Sequence, residues 1–128
     1  GVMGQAYERR SQKDNARVAT FRLRLNLALE YRRPFEDGDF EQPYVAPTEW
    51  STRRKGARIK VNGEHHDFPS LLAEVLDLLN VHEDDLPKVA ALLEVSQSQL
   101  IKFLATESRA LHQLNERRKS SGLKPLRS

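Results

Sequence analysis

Asp67-Phe68-Pro69-Ser70-Leu71-Leu72-Ala73-Glu74-Val75-Leu76-Asp77-Leu78-Leu79 is the stretch that decides the fold class. Leu71, Leu72, Val75, Leu76 and Leu79 recur at three- and four-residue intervals, the period of an α-helix. Asp67 stands where an N-cap belongs. Pro69 falls in the first turn, where its missing N–H removes no helical hydrogen bond. Downstream, Asp84 or Asp85 is placed to cap a second helix, with Pro87 in its first turn and Val89, Ala90, Leu92 and Leu93 as the apolar set. Glu94-Val95 turns the chain. Ser96-Gln97-Ser98-Gln99 fits a capping box, opening a third helix with Leu100, Ile101, Phe103 and Leu104. Ser108 can cap a fourth, carrying Leu111 and Leu114 and ending near Gly122-Leu123-Lys124-Pro125. No internal repeat is visible, and residues 65–128 are expected to form a compact all-α domain.

Upstream, the pattern is less regular. Val2 to Tyr7 alternates small and larger side chains and is read as a short strand that lacks partners within this chain. Ser11 and Asp14 offer caps for a helix from about Asn15 to Arg32, stopped by Pro34. Two apolar sets, Ala16-Ala19-Leu23-Leu27 and Phe21-Leu25-Ala28-Leu29, give it a wide apolar face. Residues 34–64 read as a charged linker containing Pro34, Pro43, Pro47 and Gly56, although Tyr44 and Trp50 are suited to packing. Within it, Arg58-Ile59-Lys60-Val61 is a brief extended piece and Asn62-Gly63 a turn signal. The expected fold is mainly α with a short strand, in three parts: 1–33, 34–64 and 65–128.

With 128 residues, 38% of them hydrophobic and 30% charged, the chain can build one ordinary domain or two very small ones. It has no cysteine, which excludes disulfides and thiolate metal sites. No apolar run approaches the roughly 20 residues needed to span a bilayer, and Gly1-Val2-Met3-Gly4-Gln5 does not resemble a signal peptide. A cytoplasmic protein without a membrane partner is expected. Net charge is only +3, but it is distributed in blocks. Residues 1–33 hold eight Lys/Arg against three Asp/Glu, 53–63 hold five against none, and 108–128 hold six against one. Between them, 34–52 hold five acids and no base, and 64–107 hold nine acids against two bases. Three separate basic blocks suggest contact with polyanion at several places.

The first basic block contains Glu8-Arg9-Arg10-Ser11-Gln12-Lys13-Asp14-Asn15. Arginine and lysine bind phosphate by charge and fork geometry, and Ser, Gln and Asn add polar contacts to sugar and phosphate. Gly1-Val2, Arg10-Ser11-Gln12-Lys13-Asp14-Asn15, Ala19 and Arg22-Leu23-Arg24-Leu25-Asn26-Leu27 together resemble the end of the catalytic domain of class I peptide chain release factors and their ribosome-rescue relatives. The resemblance covers residues 1–33. It implies a remnant strand and helix of a release-factor α/β domain, followed by the helical domain. It also implies a ribosomal partner, with rRNA or peptidyl-tRNA phosphates near Arg10, Ser11, Gln12 and Asn15 and with Arg9, Lys13, Arg17 and Arg22 as electrostatic support. The family hydrolyses peptidyl-tRNA with a Gly-Gly-Gln tripeptide upstream of this element. Met3-Gly4-Gln5 is not that tripeptide, because it lacks the first glycine and lies only six residues before Ser11. The chain is therefore expected to be the C-terminal part of a longer protein and inactive alone, with no catalytic residue, cofactor or metal of its own.

Asp85 to Leu100 forms a second constellation. Ala90-Ala91-Leu92-Leu93-Glu94-Val95-Ser96-Gln97-Ser98-Gln99-Leu100 resembles the helix-turn-helix of Fis-type DNA-binding domains, with Glu94 at the usual turn glycine. The expected recognition helix offers Gln97, Gln99 and Lys102 but no arginine, in acidic surroundings that duplex phosphate would repel. DNA is thus a poor partner, and a helical packing module is the simpler expectation. More loosely, Asp67–Glu74, Ser96–Leu100 and Asn115-Glu116-Arg117-Arg118 with Gly122–Leu126 resemble the C-terminal extension of some bacterial release-factor-like proteins. His65-His66-Asp67 has poor spacing for a metal site. The expected function is translation termination or ribosome rescue; the alternatives are a small helix-turn-helix nucleic-acid-binding regulator and a protein-interaction module.

Overall fold

A computed structural model describes the backbone of residues 2–33 and 44–128, and the side chains of residues 12–33 and 44–128. Among these residues the elements run α1 (Val2–Glu30), α2 (Thr48–Arg53), β1 (Arg54–Lys55), β2 (Arg58–Ile59), α3 (Phe68–Val81), α4 (Leu86–Leu92), α5 (Gln97–Ala105) and α6 (Ser108–Ser120). The fold is mainly helical, with one two-stranded antiparallel sheet in which Arg54 faces Ile59 and Lys55 faces Arg58.

The expected helix period over Phe68–Leu79 is realised as α3, which buries Phe68, Pro69, Leu71, Leu72, Val75, Leu76, Leu78 and Leu79. An apolar face this wide needs cover from several neighbours. Leu25, Ala28 and Leu29 of α1 lie in the same core, as do Leu86, Val89 and Ala90 of α4. Leu100, Phe103 and Leu104 of α5 and Ala110 and Leu114 of α6 complete it. Asp85 and Ser96 cap α4 and α5 as expected, accepting from the N–H groups of Lys88 (3.1 Å) and Gln99 (3.2 Å). The cap of α6 is Glu107, whose carboxylate accepts from Arg109 N–H at 3.3 Å, with Ser108 the first helical residue.

Two expectations about the first segment are corrected. The strand expected over Val2–Tyr7 does not form; these residues are the opening turns of α1. Met3, Gln5, Ala6, Glu8, Arg9 and Arg10 are good helix formers, and a six-residue strand has no edge to pair with. Ser11 and Asp14, expected as caps, therefore sit inside the helix. The apolar face is also half as wide as expected. Leu25, Ala28 and Leu29 are buried and Phe21 partly so, whereas Leu23 and Leu27 remain 59% and 55% exposed on the opposite side.

Side-chain hydrogen bonds fasten α1 along α3. Arg24 donates to the His66 carbonyl (2.8 Å) and to Ser70 Oγ (3.0 Å), and the Arg33 N–H donates to Asp77 Oδ1 (3.0 Å). Arg32 folds back onto the Ala28 and Leu29 carbonyls (2.8 and 3.1 Å), which have no partner in the final turn of a helix.

Residues 44–64 also reach the core. Trp50 is fully buried, donates its indole N–H to the Leu93 carbonyl (3.0 Å) and stands edge-on to Phe103 (5.1 Å between ring centroids). The Tyr44 hydroxyl donates to Glu74 Oε1 (2.7 Å); burial, reinforced by this bond, pushes the phenol pKa well above its ordinary value. Of the expected extended piece Arg58–Val61, Arg58–Ile59 forms β2.

Two testable consequences follow from this packing. Trp50→Ala removes an aromatic side chain and the only tryptophan, and should lower stability by about 3–5 kcal/mol in urea titrations followed by circular dichroism; a loss below about 1 kcal/mol would contradict the burial described. Burial lowers the pKa of His82, Lys88 adds to the effect and Asp85 opposes it. The unfolded chain then takes up the proton more readily than the folded one. The stability carried by neutral His82 is complete above its ordinary pKa of about 6.5 and declines as pH falls through that value, until the folded ring also protonates. His82→Asn should flatten the fall of Tm between about pH 7 and 5; a slope equal to that of the parent would remove His82 as a cause.

Candidate nucleic-acid interface

The buried face of α1 continues beyond the helices it packs against. At helical spacing along that face, Leu25 is buried, Phe21 is half-buried and Val18 is 47% exposed. Beneath this uncovered stretch lies a cleft of about 950 Å³. Val18, Phe21 and Leu25 supply its apolar lining, and Arg17, Arg22, Arg24 and Arg109 its cationic lining, with Glu64 and His66 at the side of the α3 approach.

The four arginines arrive by different routes. Arg17 and Arg24 are seven residues apart, two turns along one side of α1. Arg22 flanks the other side. Arg109 comes from the first turn of α6, held by Glu107 (2.7 Å) and by Asn26 Oδ1 (3.0 Å). The Glu107 hydrogen bond raises the pKa of Arg109, which keeps its charge fixed. Arg24 is anchored as described above. Among the described residues, neither Arg17 nor Arg22 forms an ion pair or a side-chain hydrogen bond, so both guanidinium groups face solvent with their donors available. Fork-shaped cations around an apolar floor holding an aromatic ring suit a phosphate-linked chain with flat bases: the forks take phosphate and the ring takes a base.

Of the residues expected at the site, Arg17 and Arg22 line the cleft. Gln12, Lys13 and Asn15 are exposed on the stretch of α1 leading into it. Arg9 and Arg10 lie on the same helix, as does Ser11, but their side chains are outside the described residues. Arg24 and Arg109 join the site without having been expected there. Arg24 was legible, since it repeats the side of Arg17. Arg109 was not, because 83 residues separate it from Asn26.

Comparison of the chain with protein-family models, curated proteins and solved structures gives no match. The chemistry of the site stands on its own residues.

The other sequence-flagged places are less suited to ligands. His65, His66 and Asp67 bring ligand atoms within 4.8 Å of one another. Arg53 already places Nη2 at 3.1 Å from Asp67 Oδ2 and at 3.0 Å from His65 Nε2, and this fixed positive charge opposes a second cation. α4 and α5 form a pair of helices joined by a short turn. The turn places Glu94 at φ +58°, the left-handed conformation for which glycine is the usual residue. Glu94 is held there by backbone bonds on both sides, from its own N–H to the Ala91 carbonyl and from Val95 N–H to the Ala90 carbonyl. Among the described residues no helix is long and apolar enough to cross a membrane.

Glu94→Gly should therefore stabilise the protein by about 0.5–1 kcal/mol, because the strain released exceeds the value of its exposed contact with Arg54. Glu94→Val, β-branched at the same φ, should destabilise it. Midpoints of urea denaturation moving in the reverse order would contradict the assigned turn.

Proposed function

We propose that this chain docks onto ribosomal RNA or tRNA phosphates as part of a release-factor-like protein in translation termination or ribosome rescue. The observation that carries this is the arginine-lined, aromatic-floored cleft on α1, the helix that also contains Arg10-Ser11-Gln12-Lys13-Asp14-Asn15. Support comes from residues 10–27 and from the cleft, not from the strand that the family resemblance implied at residues 2–7. In this role α1 supplies positioning. The ester hydrolysis belongs to the intact protein, working in the cytoplasm at the peptidyl transferase centre. Arg17 and Arg22 take phosphate, Phe21 offers a stacking surface, and Arg24 and Arg109 set the potential of the cleft.

A second function is favoured by one specific observation, the pair of helices α4 and α5 joined by a short turn. It would make the chain a nucleic-acid-binding regulator. α5 itself offers a single cation, Lys102, and no arginine, which weighs against it.

Arg17→Glu/Arg22→Glu is the discriminating variant, since neither side chain supports the fold. In co-sedimentation with ribosomes it should weaken binding at least about tenfold and reduce the dependence of binding on salt, with Tm unchanged. Equal sedimentation of variant and parent would overturn the docking role. Full loss of duplex-DNA binding on altering Gln97 and Lys102 instead would favour the regulator.

A further inference from the structure

The hairpin of β1 and β2 breaks a rule of sheet pairing. Lys55 and Arg58 are directly opposite each other, and like charges in that relation destabilise a hairpin. Lys60 continues the ladder, donating its N–H to the Arg53 carbonyl at 3.4 Å. Cross-strand partners share a face, and so do residues two apart on one strand, so Lys55, Arg58 and Lys60 lie together on one face of the hairpin. All three are exposed, and among the described residues none has an acidic partner. The other face carries Ile59, packed against the core, and Arg54, turned to Glu94 at 3.5 Å.

This cationic face is held at a defined place. Gly56, at φ +58°, opens the two-residue turn of the hairpin, where such turns commonly place glycine. The Ala57 carbonyl accepts from the N–H of Ser96, the cap of α5, at 3.0 Å. Gln99 would return its side chain to the cap in a full capping box; here its Oε1 accepts from Ile59 N–H at 3.3 Å. The hairpin thus sits on the turn between α4 and α5 and on the first turn of α5, beside exposed Gln97 and Ser98, with exposed Lys102 one turn beyond Gln99. The cations missing from α5 in the sequence are supplied by a segment about forty residues earlier.

We infer that the outer face of the hairpin, with the first turn of α5, is a second nucleic-acid surface that binds the phosphate backbone independently of the α1 cleft. Three clustered cations, two opposite each other and the third next along the same face, with no acidic partner among the described residues, suit a chain of repeating anions. Gln97 and Ser98 offer neutral polar contacts to the same strand. The shared chemistry is the sugar-phosphate backbone of a duplex, RNA or DNA.

The test is fluorescence anisotropy of the full chain with labelled duplex RNA and duplex DNA over a salt series, comparing the parent with Lys55→Gln/Arg58→Gln/Lys60→Gln. The slope of log affinity against log salt should shrink by about 2 to 3, because three phosphate contacts are lost. Tm should hold or rise as the like-charge pair disappears, so misfolding is separable from lost binding. Arg17→Glu/Arg22→Glu should leave this hairpin-dependent part of the slope in place, which keeps the two surfaces distinguishable. The duplex showing the larger change identifies the source of the backbone. An unchanged slope with both duplexes would overturn the inference. So would an equal loss of binding to phosphatidylserine vesicles, which would make the face a general anion surface.

Discussion

Helix α3 carries an apolar face too wide for one neighbour to bury, and the rest of the structure is arranged to cover it. Phe68, Leu71, Leu72, Val75, Leu76, Leu78 and Leu79 make up that face, with Ser70, Glu74 and Asp77 along the other side. Burying a side chain of this size contributes roughly 1.5–3 kcal/mol. Packing of α3 against α1 and the remaining helices is therefore the large term, to which the polar ties at Arg24, Asp77 and Asp84 add direction. Arg117 grips Asp84 with two bonds of 2.7 and 3.1 Å at a left-handed position (φ +60°), fixing the turn by which the chain leaves α3.

That demand also explains the cleft. Only the last third of the 29-residue α1 is needed to cover α3. Residues 12–20 are exposed, and Arg17 there meets Arg22 and Arg24 of the packed part at the cleft. The result is a helix whose C-terminal part is structural and whose middle is available for contact. Arg24 stands at the junction, bonded to the approach of α3 and lining the cleft as well.

The hairpin plays a comparable part at the start of α5. Trp50 fixes α2 into the core through Leu93 and Phe103, and the chain leaving α2 is thereby delivered to the start of α5. Local charge along α5 and the electrostatic character of its surroundings in space are consequently different things. A block of five basic residues at 53–63 lies against a segment that is acidic in sequence.

The sequence by itself determined the helices from Phe68 to Ser120 and the caps at Asp85 and Ser96, because these depend on periodicity and on bonds within three residues. It also placed Arg17 and Arg22 together on α1. It misread Val2–Tyr7, because alternation over six residues is a weak signal when helix formers continue without interruption into the next segment. It placed both apolar sets of α1 on the buried side, since spacing gives the faces of a helix but not which face a neighbour covers. The tertiary structure alone decided that Leu25, Ala28 and Leu29 would be buried and that Leu23 and Leu27 would not. It alone brought Arg109 to Asn26 and the basic hairpin to Ser96, contacts that no local interaction encodes because they exist only once α3 has been covered.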